Sequence, residues 1–311
     1  MDYISKPQSV KGHEEGDIAV DFAGDVVLVT GSGAGLGRAY AHLLAASGAR
    51  VVVNDLSTAP DGRDVIGGSA QLVVDEITAA GGQAVADAHS VADPDGAQAA
   101  VTTAVEHFGR IDAVINNAGI VRSGGFHRLT PDDIRAVLGV HLIGSMLVTR
   151  AAWPAMVDQG YGKVVFTSSS IGLLGTPANA AYGGAKGALA GLTRALAAEG
   201  VGHGIAVNAV APMAVTRLNE AVMSSIFGPA TDQLTADAVA PATAFLVHRE
   251  CPLNGEILSA AGGRVARFAV GTGPATAGLN SPEDVRDAFG AVRATEPARW
   301  WSQPVEEIRI A

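Results

Sequence analysis

Short apolar runs recur along this chain, and between them lie longer segments whose apolar positions fall three and four apart. The first run, Val26-Val27-Leu28-Val29, predicts a parallel strand buried on both faces. Further strands are predicted at Arg50 to Asp55, Gln83 to Ala88, Ile111 to Ile115, Lys163 to Thr167 and Ile205 to Val210, with a last strand at Gly255 to Leu258. Helices are predicted between them. One follows the glycines after Val29, and one runs from Gln71 to Ala80 and stops at Gly81-Gly82. Asp93-Pro94 opens a helix that reaches Phe108 and ends at Gly109. Thr130-Pro131-Asp132-Asp133 is a strong helix start, with a capping residue, proline at the first position and aspartate in the capping-box position. That helix runs to Met156 or beyond, and two more cover Asn179 to Glu199 and Ala238 to Val247. Regular alternation of this kind predicts the α/β class: a Rossmann-type, doubly wound parallel sheet flanked by helices, in a single domain.

The remaining stretches define the organisation around that domain. Residues 1–20 read as a polar N-terminal arm, 21–268 as the sheet domain and 269–311 as a C-terminal extension. Residues 56–69 form a long polar loop. Residues 213–235 keep no steady period, contain Gly228-Pro229 and stand where a lid would stand. In the extension Ser281-Pro282-Glu283-Asp284 caps a short helix to about Arg293. Trp300-Trp301 beyond it predicts docking, either on a partner subunit or on the parent domain.

Composition narrows the class of function. Of 311 residues 48% are apolar and 17% charged, enough for a sizeable core. The net charge of −10, without any lysine or arginine run, argues against nucleic acid and anionic membranes as partners. The single cysteine, Cys251, allows no disulfide within the chain and suits a reducing, cytoplasmic setting. The N-terminal stretch has no secretory pattern, and no apolar run is long enough to span a membrane. No metal site is expected.

Candidate chemistry begins just after the first strand. Thr30, Gly31, Gly35 and Gly37 follow the spacing T-G-x-x-x-G-x-G, while Leu36 breaks the commoner G-x-G-x-x-G. Residues without a Cβ permit unusual backbone angles and close approach of a ligand, and the helix beyond offers free N–H groups to a pyrophosphate. Asp55 ends the second strand on the same rim. A carboxylate there accepts hydrogen bonds from adenosine-ribose hydroxyls and repels a 2′-phosphate, which favours NAD over NADP. Far along the chain, Tyr182 and Lys186 stand four apart on one helix face, with Ser169 thirteen residues before Tyr182. An ammonium near a phenol favours the phenolate, and a serine hydroxyl can hold a substrate oxygen beside it. Such a set suits proton transfer to or from an alcohol while a hydride moves to a nicotinamide.

These motifs together, over roughly Asp25 to Gly263, resemble the short-chain dehydrogenase/reductase family. The resemblance implies Ser169, Tyr182 and Lys186 as catalytic residues, with Tyr182 as acid/base. It places Gly31, Ser32, Gly35, Leu36 and Gly37 on the adenosine-pyrophosphate side. It places Asn116, Asn117, Ala118 and Gly119, with Pro212 and Val215, on the nicotinamide side. Within the family, VVVNDL, FGRIDAVINNAGIVR and LNGEILSAAGGRVAR are similar to the (3R)-hydroxyacyl-CoA dehydrogenase domain of peroxisomal multifunctional enzyme type 2 and its bacterial relatives. That similarity implies an NAD-dependent oxidation of a 3-hydroxyacyl-CoA, with Arg122, Arg128 and Arg217 as candidates for the CoA. It also implies a homodimer or homotetramer joined through the fourth and fifth helices. Two other readings stay open: a dehydrogenase of free steroids or other carbonyls, and a dinucleotide sensor without turnover. Three positions depart from the common family pattern. His141 replaces an asparagine that relays protons through water, which makes it a relay candidate or a packing residue. Pro212-Met213 replaces Pro-Gly. His89-Ser90-Val91 replaces the aspartate near the adenine, leaving Ser90 and Val91 as the candidates for adenine contact.

Overall fold

The computed structural model describes residues 20–64, 67–216, 225, 228–295 and 299–300. The polar arm up to residue 19, Arg217, much of the 213–235 segment and Trp301 lie outside the described residues. Seven parallel strands form the sheet: β1 Val26–Thr30, β2 Arg50–Asn54, β3 Gln83–Asp87, β4 Ala113–Asn116, β5 Gly162–Thr167, β6 Ile205–Met213 and β7 Ile257–Ala261. An eighth, β8 Arg264–Phe268, runs antiparallel to β7, and the spatial order is β3-β2-β1-β4-β5-β6-β7-β8.

The alternation of β1 explains the layers. Val27 and Val29 point to one face, where they join Tyr40, Leu44, Val73, Ile77, Leu246 and Val247 from α1 (Gly35–Ala46), α2 (Ser69–Ala79) and the later helix Ala240–Val247. Val26 and Leu28 point to the other. There they join Ala100, Val148, Met156 and Leu189 from α3 (Pro94–Phe108), α5 (Ser145–Gln159) and α7 (Ala180–Gly200). Every residue of β1 is buried, as a central parallel strand covered on both faces requires.

α3 begins at its Asp93 cap and ends at Gly109 in the left-handed conformation. α4 (Pro131–Leu138) carries the full Thr130–Asp133 capping box. Between α4 and α5 the hydrogen bonding loosens into a π-helical turn at Gly139–Gly144, which holds His141. Pro131–Gln159 is therefore one helix of 29 residues, long and apolar enough to cross a membrane. This corrects the expectation that no segment reaches that length. Val137, His141, Val148, Ala152 and Met156 bury its inner face in the domain, which gives the apolar stripe its partner.

A second correction concerns the sheet's edge. β7 is not the last strand, because Gly262 and Gly263 both take positive φ (52° and 72°) and fold the chain straight back, pairing Ala261 with Arg264. In the extension, Ser281 and Asp284 form a capping box for α9 (Pro282–Asp287), which follows α8 (Ala240–Val247) in the helix series. α10 (Phe289–Val292) comes next, and β10 (Arg299–Trp300) pairs with β9 (Gly271–Thr272).

Candidate active site

The parallel strands all end on one rim, so Thr30, Asn54, Asn116, Thr167 and Met213 are neighbours at the carboxyl edge of the sheet. β1 is flanked by β2 and β4, and the crevice where the strand order reverses opens between β1 and β4. Thr30 and Asn117 stitch it together. Thr30 Oγ1 accepts the N–H groups of Asn117 at 3.0 Å and Ala118 at 3.1 Å. Asn117 Nδ2 donates to the carbonyls of Thr30 and Gly31, both at 3.0 Å. Asn116 turns the other way, donating to Thr149 Oγ1 on α5. Its side chain thus ties the end of β4 to α5.

The glycine turn leaves β1 through Gly31 (φ 63°), and α1 opens on Gly35 (φ 55°), values that suit glycine. At Gly37 a Cβ would overlap the Gly31 carbonyl and lie 2.6 Å from Asn117 Nδ2, so the turn closes on α1 without a side chain between them. Ser32 has a different job from the one the resemblance implies. Its N–H goes to Asn54 O at 3.0 Å and its hydroxyl to Val29 O at 2.7 Å, so it ties the turn to β2 and has no donor left for a ligand. Leu36 is partly buried against the core face beneath α1, and Arg38 is paired with Glu76 away from the turn.

Asp55 follows β2 with both carboxylate oxygens engaged by backbone, from Gly33 N–H at 2.8 Å and Ser57 N–H at 2.6 Å. Each oxygen keeps a second acceptor site. An adenosine ribose fits such a carboxylate, and the backbone of the adjoining glycine turn fits a pyrophosphate. Near β3, Asp87 gathers Asn54 Nδ2, His89 Nδ1 and Thr103 Oγ1, which orders the loop where Ser90 and Val91 follow. Val91 is buried against Gly144 of the π-turn.

Ser169, Tyr182 and Lys186 converge on the opposite side of the crevice. Ser169 caps the short helix α6 (Ser170–Leu174), accepting Ile171 N–H at 3.2 Å. Tyr182 and Lys186 lie on one face of α7, with Lys186 Nζ 5.6 Å from the Tyr182 ring centroid. Burial pushes the Tyr182 phenol above its usual 10, and the Ser169 hydroxyl beside it pulls it back down. Lys186 is buried and donates to Thr167 O at 2.5 Å. The same burial drops its ammonium to about 7. A lysine ammonium within reach favours the phenolate. In the fold burial acts on both groups, and the lysine gives way. Ser168, which carried no motif signal, holds the helix in place by donating to Lys186 O at 2.8 Å.

His141 stands edge-on to Tyr182, ring centroids 5.2 Å apart. Its Nε2 lies 2.8 Å from Ile120 O and 3.2 Å from Ile120 N. The shorter contact makes Nε2 the donor and Nδ1 the unprotonated nitrogen, and Nδ1 is buried with no partner among the described residues. Burial and the nearby Lys186 hold the imidazole down at about 3, so the ring is neutral at working pH. Gly119 makes room for it: a Cβ there would overlap His141 Cε1.

Beyond Ile120, which packs in the cluster containing Tyr182, a cleft of about 500 Å³ opens between loop 56–68 and the start of α4. Arg63, Arg122 and Arg128 line it, with Asp61 and Asp133 between them. Arg122 Nε donates to Asp61 O at 2.9 Å, and Arg63 reaches Asp133 at 3.3 Å. Val215 N–H donates to Leu234 O at 2.7 Å, just after Pro212 and Met213 of β6.

A fold with this strand order and a Ser–Tyr–Lys set on its rim defines an NAD(P)-type alcohol dehydrogenase. The family model for short chain dehydrogenases matches residues 25–224, and the chain belongs to that family of oxidoreductases acting on CH–OH donors. It is 44% identical over 262 residues to a short-chain type dehydrogenase/reductase of Mycobacterium tuberculosis, covering 84% of this chain and 90% of that one. It is 41% identical over 242 residues to peroxisomal multifunctional enzyme type 2 of Drosophila melanogaster, spanning 78% of this chain but 40% of the relative. The solved structure of that full-length Drosophila enzyme superposes with a TM-score of 0.77 at 32% identity, over 93% of this chain and 48% of that one. A short chain dehydrogenase from Mycobacterium avium superposes with a TM-score of 0.75 at 38% identity, over 88% and 95%.

Proposed function

We propose that this oxidoreductase uses NAD to oxidise a secondary alcohol to a ketone, and that the alcohol is a (3R)-hydroxyacyl-CoA thioester. The observation that carries the reading is the meeting of Ser169, Tyr182 and Lys186 across one crevice from the glycine turn and Asp55. NAD rather than NADP follows from Asp55, whose charge repels a 2′-phosphate. The CoA reading draws on the three arginines of the cleft beyond Ile120 and on the resemblance to multifunctional enzymes.

Tyr182 takes the proton of the substrate hydroxyl as base, and Ser169 holds the same oxygen. When bound, NAD supplies the hydride acceptor. Lys186, with a pKa of about 7, takes up or releases a proton behind Tyr182. His141 stands edge-on to Tyr182, neutral and with Nδ1 unpaired among the described residues, so that nitrogen can accept a hydrogen bond from water beside Tyr182. The glycine turn, Asp55, Ser90, Val91, Asn117, Ala118, Gly119, Pro212 and Val215 form the cofactor side. Ile143 and Met146 leave an apolar strip exposed on the long α4–α5 helix, which supports a homodimer or homotetramer.

The test is NADH absorbance on mixing the protein, NAD and a 3-hydroxyacyl-CoA of defined stereochemistry. Turnover of the (3R) isomer by wild type and its loss in Tyr182→Phe is the expected result. Turnover of steroid alcohols but of no acyl-CoA would remove the substrate reading. NAD binding without turnover on a broad alcohol panel would make the protein a sensor.

A further inference from the structure

Asp55 does not hang free at the end of β2. Its Oδ1 is held by the Ser57 N–H, and Ser57 reaches that position only with φ at 57°, a conformation unfavourable for a residue with a side chain. What holds Ser57 there comes from across the loop. Its hydroxyl accepts Ser69 N–H at 3.0 Å and lies 2.6 Å from the Ser69 hydroxyl. Gly67 N–H donates to Ser57 O at 3.2 Å. Ser57 is 7% exposed, so this clasp is shielded from water. Ser69 also touches the glycine turn, since a Cβ at Gly33 would overlap its Oγ and come within 2.9 Å of Asp55 Cγ. Ser69 is the first residue of α2, behind the glycine cap Gly68. One serine thus adjoins the pyrophosphate turn, the ribose carboxylate and the closure of the 56–68 loop.

We propose that Ser69 is a positioning residue for the adenosine ribose: acting through Ser57, it fixes the Asp55 carboxylate in one orientation before the cofactor arrives. The inference rests on the NAD reading of Asp55. A carboxylate ordered in advance loses less freedom on binding, so the clasp adds affinity without touching the ligand. The effect falls on NAD, which uses that carboxylate, and not on NADP, whose phosphate is repelled by it.

The experiment is titration calorimetry of NAD and NADP on the full chain, for wild type, Ser69→Ala, Ser57→Ala and Asp55→Ala, with a melting curve for each. Ser69→Ala and Ser57→Ala should each raise the NAD Kd about tenfold and move the NADP Kd less than about threefold. The KM for NAD should rise in step, with kcat at saturating NAD changed less than about twofold. Alanine keeps both the N–H and the backbone penalty of residue 57 but lacks the hydroxyl of the clasp, so Ser57→Ala decides the matter if Ser69→Ala does not fold. NAD affinity within about twofold of wild type in both, beside a tenfold loss in Asp55→Ala, overturns the proposal and leaves the Asp55 reading standing. Equal weakening of NAD and NADP also overturns it, because Ser69 would then act on the pyrophosphate turn. No change in Asp55→Ala overturns the reading beneath it.

Discussion

Replacing Lys186 with methionine should change the stability of the fold by an amount that depends on pH, in the variant's favour near neutrality. The wild-type ammonium is buried, donates to Thr167 O, and is held by burial at about 7 against a usual 10.5. Between those two values the unfolded chain carries a proton that the folded chain lacks, so wild-type stability rises with pH across that window. From pH 7.5 to 9.0 the lysine should contribute about 2 kcal/mol of that rise. The methionine side chain has nothing to titrate, so the variant's advantage over wild type should shrink by the same amount. Lys163 is also depressed by burial and adds a slope of the same sign, but it is present in both proteins and cancels in the difference. His141, at about 3, is neutral in both folded proteins throughout. At either pH the variant leaves Thr167 O without its donor, a fixed cost of about 1–3 kcal/mol. The assay is urea unfolding of both proteins at pH 7.5 and 9.0. A stability difference that stays constant within about 0.5 kcal/mol, well under the expected change, would mean that Lys186 keeps its proton in the fold and that the burial argument is wrong. Turnover of K186M should be lost at both pH values.

Gly119→Ala should destabilise by about 1–3 kcal/mol and lower kcat, because its methyl overlaps His141 Cε1. Gly124→Ala, whose nearest neighbour is Leu129 Cδ2 at 3.9 Å, should be near neutral in the same melting and turnover assays. If His141 relays protons, His141→Asn should retain more turnover than His141→Leu; equal kcat in the two assigns the ring to packing alone. Arg122→Ala should raise KM for a hydroxyacyl-CoA several-fold and leave the same acyl chain on N-acetylcysteamine, which lacks phosphates, unaffected; equal effects on both would take Arg122 out of CoA binding. Deleting residues 270–311 should reduce the solution mass measured by light scattering if the extension crosses to a partner, and an unchanged oligomer excludes that role.

Local signals were legible wherever one stretch of chain settles the matter. The Asp93 and Thr130 caps, the Gly109 stop and the buried run of β1 need only their immediate neighbours, and the structure places them where the pattern does. The hairpin at Gly262-Gly263 was missed although two consecutive glycines are a tight-turn signal, because the run after them, Arg264 to Phe268, lies on an exposed edge and lacks a clear apolar pattern. The π-turn at His141 left no mark in the helical pattern: a helix with one loosened turn keeps nearly the same apolar spacing.

The class of fold, the spacing of the glycine turn and the candidacy of Ser169, Tyr182 and Lys186 are readable along the chain, because periodicity and motif spacing are properties of positions in sequence. What those groups experience depends on the folded surroundings. The tertiary structure commits Ser32 to holding β2, turns Asn116 to α5 and Asn117 to the rim, and draws Ser57 and Ser69 together from opposite ends of a loop. It also buries Lys186 until its charge is half lost near neutral pH. Charge state and hydrogen-bond partners depend on what surrounds a group in three dimensions, and residues far apart in the chain supply those surroundings.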